Sequence, residues 1–282
     1  MGAPPLAALG LLGAASAAPA AASTAASTVS SNWSGYVAAP AAGSHFSSVS
    51  GSWVQPAATC RAGRESYSAA WVGLGGDSED ANALEQTGTD ADCTRSGRAV
   101  YSAWYELIPA GPVKVPLKVH AGDQMTASVT VRGHGVTLRL RDLTTGARYT
   151  TTRRASAIDT SSAEWIVEAP SVCFGAGSCS TLPLTDFGSI VFSLASATVA
   201  AHTGPIDDPA WSATALQLLQ DPSRTTPAPG RLGRTAPAGV ISAIPSAVQS
   251  AEGAFTIAWR EASAQTEAPT GPTLPGFGGA EG

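Results

Sequence analysis

The chain has 282 residues, enough for one large domain or two small ones with a sizeable core. Charged residues make up only 13% of it, with 16 basic against 21 acidic and a net charge of −5. A nucleic-acid partner requires a cationic stripe, and the longest basic run here is Arg153-Arg154, so that class is excluded; a hydrophobic content of 44% at so small a net charge does not fit intrinsic disorder either.

At the start, Leu6, Leu9, Leu11 and Leu12 lie in an Ala/Gly-rich apolar run that ends at Ala15-Ser16-Ala17. This is the small-x-small pattern of a secretory signal, without a basic segment ahead of it. Residues 1–29 are therefore expected to be a signal-like segment with a short leader, and the protein to be secreted. Period-two alternation of small or polar with bulky residues then recurs at Ser48 to Val54, Gln124 to Val131, Val136 to Leu140, Ile190 to Leu194 and Phe255 to Trp259. Fifty Gly and Pro residues (30 plus 20) punctuate these runs. Ala213 to Gln220 is the one stretch with helical character, closely bracketed by Pro209 and Pro222. The pattern predicts an all-β sandwich of two antiparallel sheets over residues 30–262, with a flexible tail over 263–282.

Four cysteines, an even number with no C-x-x-C pair, argue against structural zinc and for two disulfides, Cys60–Cys93 and Cys173–Cys179. The four histidines have no metal-ligand spacing, and there is no G-x-S-x-G elbow. No metal or other cofactor is expected. What remains is a set of polar residues planted in apolar strands: Ala70-Trp71-Val72-Gly73, Glu85-Gln86-Thr87-Gly88, Ala103-Trp104-Tyr105-Glu106 and Ala163-Glu164-Trp165-Ile166-Val167-Glu168. On a strand Glu164, Ile166 and Glu168 share one face, and Trp104 and Glu106 likewise point the same way. A carboxyl on a face shared with Ile or Trp is partly desolvated, which raises its pKa and suits it to proton transfer.

Together with Ser31-Asn32-Trp33-Ser34-Gly35, these segments, in this order and spacing, resemble the glutamic peptidases, or eqolisins. The resemblance covers roughly Ser30 to Arg260. It implies a lectin-like (concanavalin-type) sandwich with a substrate cleft on a concave face, and a metal-independent acid endopeptidase. The family's catalytic glutamine and glutamate fall on Gln86 and Glu168, facing one cleft, while Trp71, Trp104 and Glu106 match cleft-lining, substrate-binding positions and Trp33 a core position. Glu168 would act as general base and then general acid, with Gln86 stabilising the oxyanion. Cys173 and Cys179 match a short disulfide loop of fungal members. The chain departs from the family at Gly75, where fungal members carry Asp, and at Ile108 and Pro170, where they carry aromatics. Activity is expected in acid, limited on the alkaline side by Glu106 or Glu164. The expected partners are protein or peptide substrates of a monomeric enzyme, with no nucleic acid and no membrane span. The competing reading is a secreted carbohydrate-binding sandwich without catalysis, its sugars stacked on Trp71, Trp104 and Trp165.

Overall fold

The computed structural model describes residues 27–78, 81–173, 179–220, 239–249 and 252–261. Within them the secondary structure is entirely β. The first strands are β1 (Ser27–Ser30), β2 (Trp33–Pro40), β3 (Phe46–Val54), β4 (Ala69–Leu74), β5 (Leu84–Cys93) and β6 (Ala99–Ile108). There follow β7 (Val113–Val115), β8 (Gln124–Arg132), β9 (Gly135–Asp142), β10 (Arg148–Arg154), β11 (Ala163–Glu168) and the short pair β12 (Ser171–Cys173) and β13 (Cys179–Thr181). The chain closes with β14 (Ser189–Val199), β15 (His202–Pro205), β16 (Trp211–Gln220), β17 (Val240–Pro245) and β18 (Phe255–Trp259). All five alternating stretches singled out in the sequence are strands.

The two layers of the sandwich are one continuous hydrogen-bonded path, β10-β9-β8-β3-β14-β18-β17-β16-β2-β11-β4-β5-β6-β7, with β12-β13 as a separate ribbon. Strands β3, β8 and β9 lie against β4, β5 and β11, so the path folds back on itself around one core. Trp53, Trp165, Phe192 and Phe255 fill that core. Polar tips on these large rings are satisfied across the layers: the Trp165 indole N–H donates to the Ser50 carbonyl at 2.8 Å, and that of Trp53 to Thr89 Oγ1 at 3.0 Å.

Two details differ from the sequence expectation or extend it. Ala213 to Gln220 is strand, not helix: β16 is paired on both sides, with β2 and with β17, and these ladders override the helix preference of its Ala, Leu and Gln residues. The sheet also takes in Ser27–Ser30, which pair in parallel with Ala215–Leu218, so three residues assigned to the leader are part of the fold. Residues 1–26 and 262–282 fall outside the described residues.

Two motif glycines are required by close approach of backbone. Gly35 has φ +142°, and a Cβ there would stand 2.1 Å from the Trp165 carbonyl oxygen. At Gly88 the same atom would stand 2.2 Å from the Ala70 carbonyl oxygen and 2.5 Å from Trp71 Cβ. Any side chain at either position would force β2 or β5 away from its neighbour.

Cys60 and Cys93 form a disulfide. Cys179 is also disulfide-bonded, and its backbone lies opposite Cys173 in the β12–β13 ribbon; the Cys173 side chain is outside the described residues. The Cys60–Cys93 bridge ties the loop between β3 and β4 to the end of β5, where Ser66 and Cys93 also exchange backbone hydrogen bonds. It closes a loop of 33 residues of sequence separation, for which chain entropy sets a stabilisation of about 3–4 kcal/mol. Replacing both cysteines by serine should lower the unfolding free energy by that amount, read from denaturant midpoints against the wild type.

Candidate active site

The layer β2-β11-β4-β5-β6 is apolar on both faces. Its inner face joins the main core, and its outer face carries a second cluster of Trp33, Val37, Ala69, Trp71, Leu84, Trp104, Ile166 and Leu216. Because the antiparallel ladders run in register, side chains fall into rungs across this outer face. One rung is Glu106–Gln86–Gly73–Glu164 and another is Ser102–Asp90–Ala69–Glu168. Between them lies Trp104–Gly88–Trp71–Ile166. Polar groups and tryptophans therefore alternate by rung along a single surface.

A cleft of about 330 Å³ opens on this surface, lined by Gln86, Glu106, Glu168, Trp104, Asp90, Asp92, Tyr67, Lys114 and Pro170 among others. Gln86 and Glu168 thus line one cleft, from strands on either side of β4. They share no direct hydrogen bond; each is held by other groups. Glu168 Oε2 accepts from the Trp71 indole N–H at 2.9 Å, and its Oε1 accepts from Asn32 Nδ2 at 3.1 Å. Asn32 is held in turn by Ser30, whose hydroxyl donates to Asn32 Oδ1 at 3.3 Å. Gln86 Nε2 donates to Glu106 Oε2 at 2.7 Å, whereas Gln86 Oε1, in a residue only 3% exposed, has no partner.

Burial raises the acidic groups of this face. Glu168 is pushed up to about 8, first by burial and then by the charge of Glu106, against the N–H groups of Trp71, Trp33 and Asn32. Glu106 is pushed to about 7 by burial, against the hydrogen bond from Gln86. The absence of a cationic partner is shared by both: among the described residues, neither carboxyl forms a salt bridge.

The tryptophans divide by role. Trp71 has no exposure at all and meets Trp33 edge to face with ring centroids 5.1 Å apart. Its indole N–H donates to Glu168 Oε2. Trp165 points into the opposite face, where the ladder parity puts it. Of the three aromatic rings considered for sugar stacking only Trp104 borders the cleft, which removes the platform that a carbohydrate-binding module needs. Trp33 is in the outer-face cluster, as expected.

Sequence reasoning missed Asn32, whose place in the Ser-Asn-Trp-Ser-Gly segment was the available signal, and it missed Asp90, Asp92 and Lys114. It offered Glu164 beside Glu106 as a group limiting activity on the alkaline side. Glu164 shares the face of Gln86 but is completely buried, and the charges near it are Asp77, Asp159 and Glu85. The space beside Gly75 is occupied by Asp159: a Cβ on Gly75 would stand 2.5 Å from Asp159 Cβ, and the Asp159 carboxylate accepts from the Gly76 N–H at 3.1 Å. A carboxylate absent from β4 is thus matched by one from the loop before β11.

The Peptidase A4 family profile matches residues 31–226. The chain belongs to this family, the glutamic peptidases. Aspergillopepsin-2 of Aspergillus niger is 31% identical over 222 residues, which cover 70% of this chain and 73% of that protein. Scytalido-glutamic peptidase, solved with a peptide-based transition-state analog, superposes with a TM-score of 0.63 at 25% identity, covering 83% of this chain and 100% of that one. Aspergilloglutamic peptidase from Aspergillus niger superposes at 0.52 with 25% identity, covering 69% and 99% respectively. The protein is accordingly a glutamic endopeptidase acting on proteins or peptides. Among the described residues no helix is long and apolar enough to cross a membrane.

The buried carboxyls also set the pH range of the fold. Glu85 is pushed to about 8 and Glu164 well above its ordinary value of 4.5, both chiefly by burial. Below the ordinary value both folded and unfolded chains hold these protons, and the full stability is present. As pH rises towards about 8 the unfolded chain releases them first, so stability falls across that window. Unfolding followed by circular dichroism should show this loss, and Glu164→Gln should move the midpoint to higher pH by removing one buried ionisation.

Proposed function

We propose that the protein is a secreted acid endopeptidase in which Gln86 and Glu168 form the catalytic dyad of a single domain spanning about residues 30–262. The observation that carries this reading is the unpartnered Gln86 Oε1, buried in the same cleft as a glutamate whose two oxygens are both held by N–H donors.

Glu106 and Glu168 raise each other's ionisation, so the pair loses one proton well before the other. In the reactive state the anion is on Glu168, whose two oxygens accept from the N–H groups of Trp71 and Asn32, while Glu106 has only the hydrogen bond from Gln86. In that state Glu106 is neutral, and the repulsion that helped lift Glu168 is gone. Glu168 then takes a proton from a water whose other hydrogen is accepted by Gln86 Oε1. The hydroxide adds to the scissile carbonyl carbon, and the oxyanion receives the second N–H of Gln86 Nε2. Glu168 passes its proton to the amide nitrogen, the C–N bond breaks, and a carboxylic acid and an amine leave as Glu168 returns to its anion. Glu106 holds the Nε2 end of the Gln86 amide and thereby fixes which end faces the water. Export is supported by the Cys60–Cys93 bridge, since such bonds persist in oxidising compartments.

Glu168→Gln should abolish hydrolysis of denatured casein while leaving the fold intact by circular dichroism, and wild-type activity should survive pepstatin and chelators. Gln86→Ala should lower kcat by about 10²–10³, the usual cost of one oxyanion donor. Activity that persists in Glu168→Gln would sink the dyad.

The alkaline limit provides a separate check. With Glu168 already an anion, ionisation of Glu106 brings a second negative charge beside it and the oxyanion, so wild-type activity should fall as the pH rises through that ionisation, which burial places above the ordinary carboxylate range. Glu106→Gln keeps an acceptor for Gln86 but cannot ionise. Its pH–rate profile should retain the acid limb and lose that alkaline limb, up to the pH where the fold itself fails.

A further inference from the structure

The cleft continues past Glu168 along β5, and that end has a chemistry the dyad does not use. Asp90 and Asp92 are two residues apart on β5 and point to the same face, both into the cleft. Asp90 lies in the rung of Glu168 with only the small Ala69 between them, so their Cα atoms are about 10 Å apart, two strand spacings. That is within reach of the side chain of a residue flanking the bond being cut.

Each carboxylate has some neutral partners. Asp90 accepts from the Ser102 hydroxyl, and Asp92 accepts from the Ser68 N–H at 3.3 Å. Neither forms a salt bridge among the described residues. Trp104 Nε1, in a residue 6% exposed, has no hydrogen-bond partner within range, although it lies beside Asp90. The resident cation, Lys114, is exposed on β7 and acts on both carboxylates only from a distance.

We propose that Asp90 and Asp92 form a subsite for a basic substrate side chain, so that this enzyme favours peptides with lysine or arginine next to the scissile bond. The subsite rests on the peptidase reading above. Two carboxylates in a partly desolvated wall, with only the exposed Lys114 acting on them from a distance and no salt bridge among the described residues, are poorly satisfied. A substrate ammonium or guanidinium entering between them supplies the missing charge, and an apolar side chain of equal length leaves it missing.

The groups facing the subsite set its pH dependence. Burial raises both carboxyls, Asp92 to about 7 with the charge of Asp90 adding to the effect, and Lys114 opposes it. Glu168 lies across Ala69, and Tyr67 borders Asp92. In strong acid the pair is therefore neutral and offers only hydrogen-bond acceptors, so discrimination should strengthen as the pH is raised from 4 to 6.

The test uses quenched fluorescent peptides that differ only in the residue flanking the cut: lysine, norleucine or glutamate. Wild-type enzyme should cleave the lysine peptide with a kcat/KM about tenfold above the norleucine peptide at pH 6, with a smaller ratio at pH 4. That ratio should collapse towards one in Asp92→Asn and in Asp90→Asn, while Asp92→Lys should favour the glutamate peptide. Because the readout is a ratio between two peptides on the same enzyme, partial loss of folded protein does not affect it. Equal cleavage of lysine and norleucine peptides by the wild type, or a ratio unchanged in both Asn variants, would overturn the subsite and leave the peptidase reading standing. Failure to cleave any of the peptides or casein would overturn the peptidase reading and the subsite with it.

Discussion

The site depends on a sheet that is buried on both faces. Between the main core and the outer cluster of Trp33, Trp71, Trp104 and Ile166, the strands β11, β4 and β5 have little solvent on either side. Any carboxyl planted there loses hydration, and among the described residues no arginine or lysine forms a salt bridge with those of the cleft. The protein's electrostatics follow from this one constraint. Charge is expensive on this surface, protons are held to unusually high pH, and the neutral amide of Gln86 is a donor that acid does not alter.

Trp71 shows how packing and chemistry share the same atoms. Its ring fills the outer-face cluster, edge-on to Trp33, while its N–H reaches Glu168. Gly88 is bare because the Trp71 side chain and the Ala70 carbonyl occupy the volume its Cβ would need. Displacing the ring would release one of the two hydrogen bonds that hold the glutamate. Precision at Glu168 is thus supplied by the cluster rather than by the cleft lining, which is consistent with placing reactive groups on rigid strands.

The acidic groups fall into two sets with different consequences. Glu106 and Glu168 line the cleft, where raised ionisation bears on the proton transfer proposed for Glu168. Glu85 and Glu164 are sealed away from it, next to Asp77 and Asp159, where raised ionisation governs only stability. Sequence proximity hides this division, since Glu164 and Glu168 are four residues apart on one strand and share a face. What separates them is position along that strand: Glu168 ends β11 and lines the cleft, whereas Glu164, near its start, is completely buried and does not.

Much of this protein is determined by local sequence. Alternation with period two, frequent glycine and proline, and the order of the motif segments specify an all-β fold and its family, because strand patterning and backbone approach leave their marks residue by residue. The resemblance carried by those segments singled out Gln86, Glu106 and Glu168, and all three line one cleft. Tertiary structure decided the rest. Ala213 to Gln220 became a strand only because β2 and β17 offered edges on both sides. The Trp71 N–H came to donate to Glu168 because β11 lies beside β4 in the sheet and neighbouring side chains covered its ring. Asp159 took the space beside Gly75 from a loop more than eighty positions away in the chain. Burial and pairing across strands are sums over distant neighbours, and no window of sequence contains them.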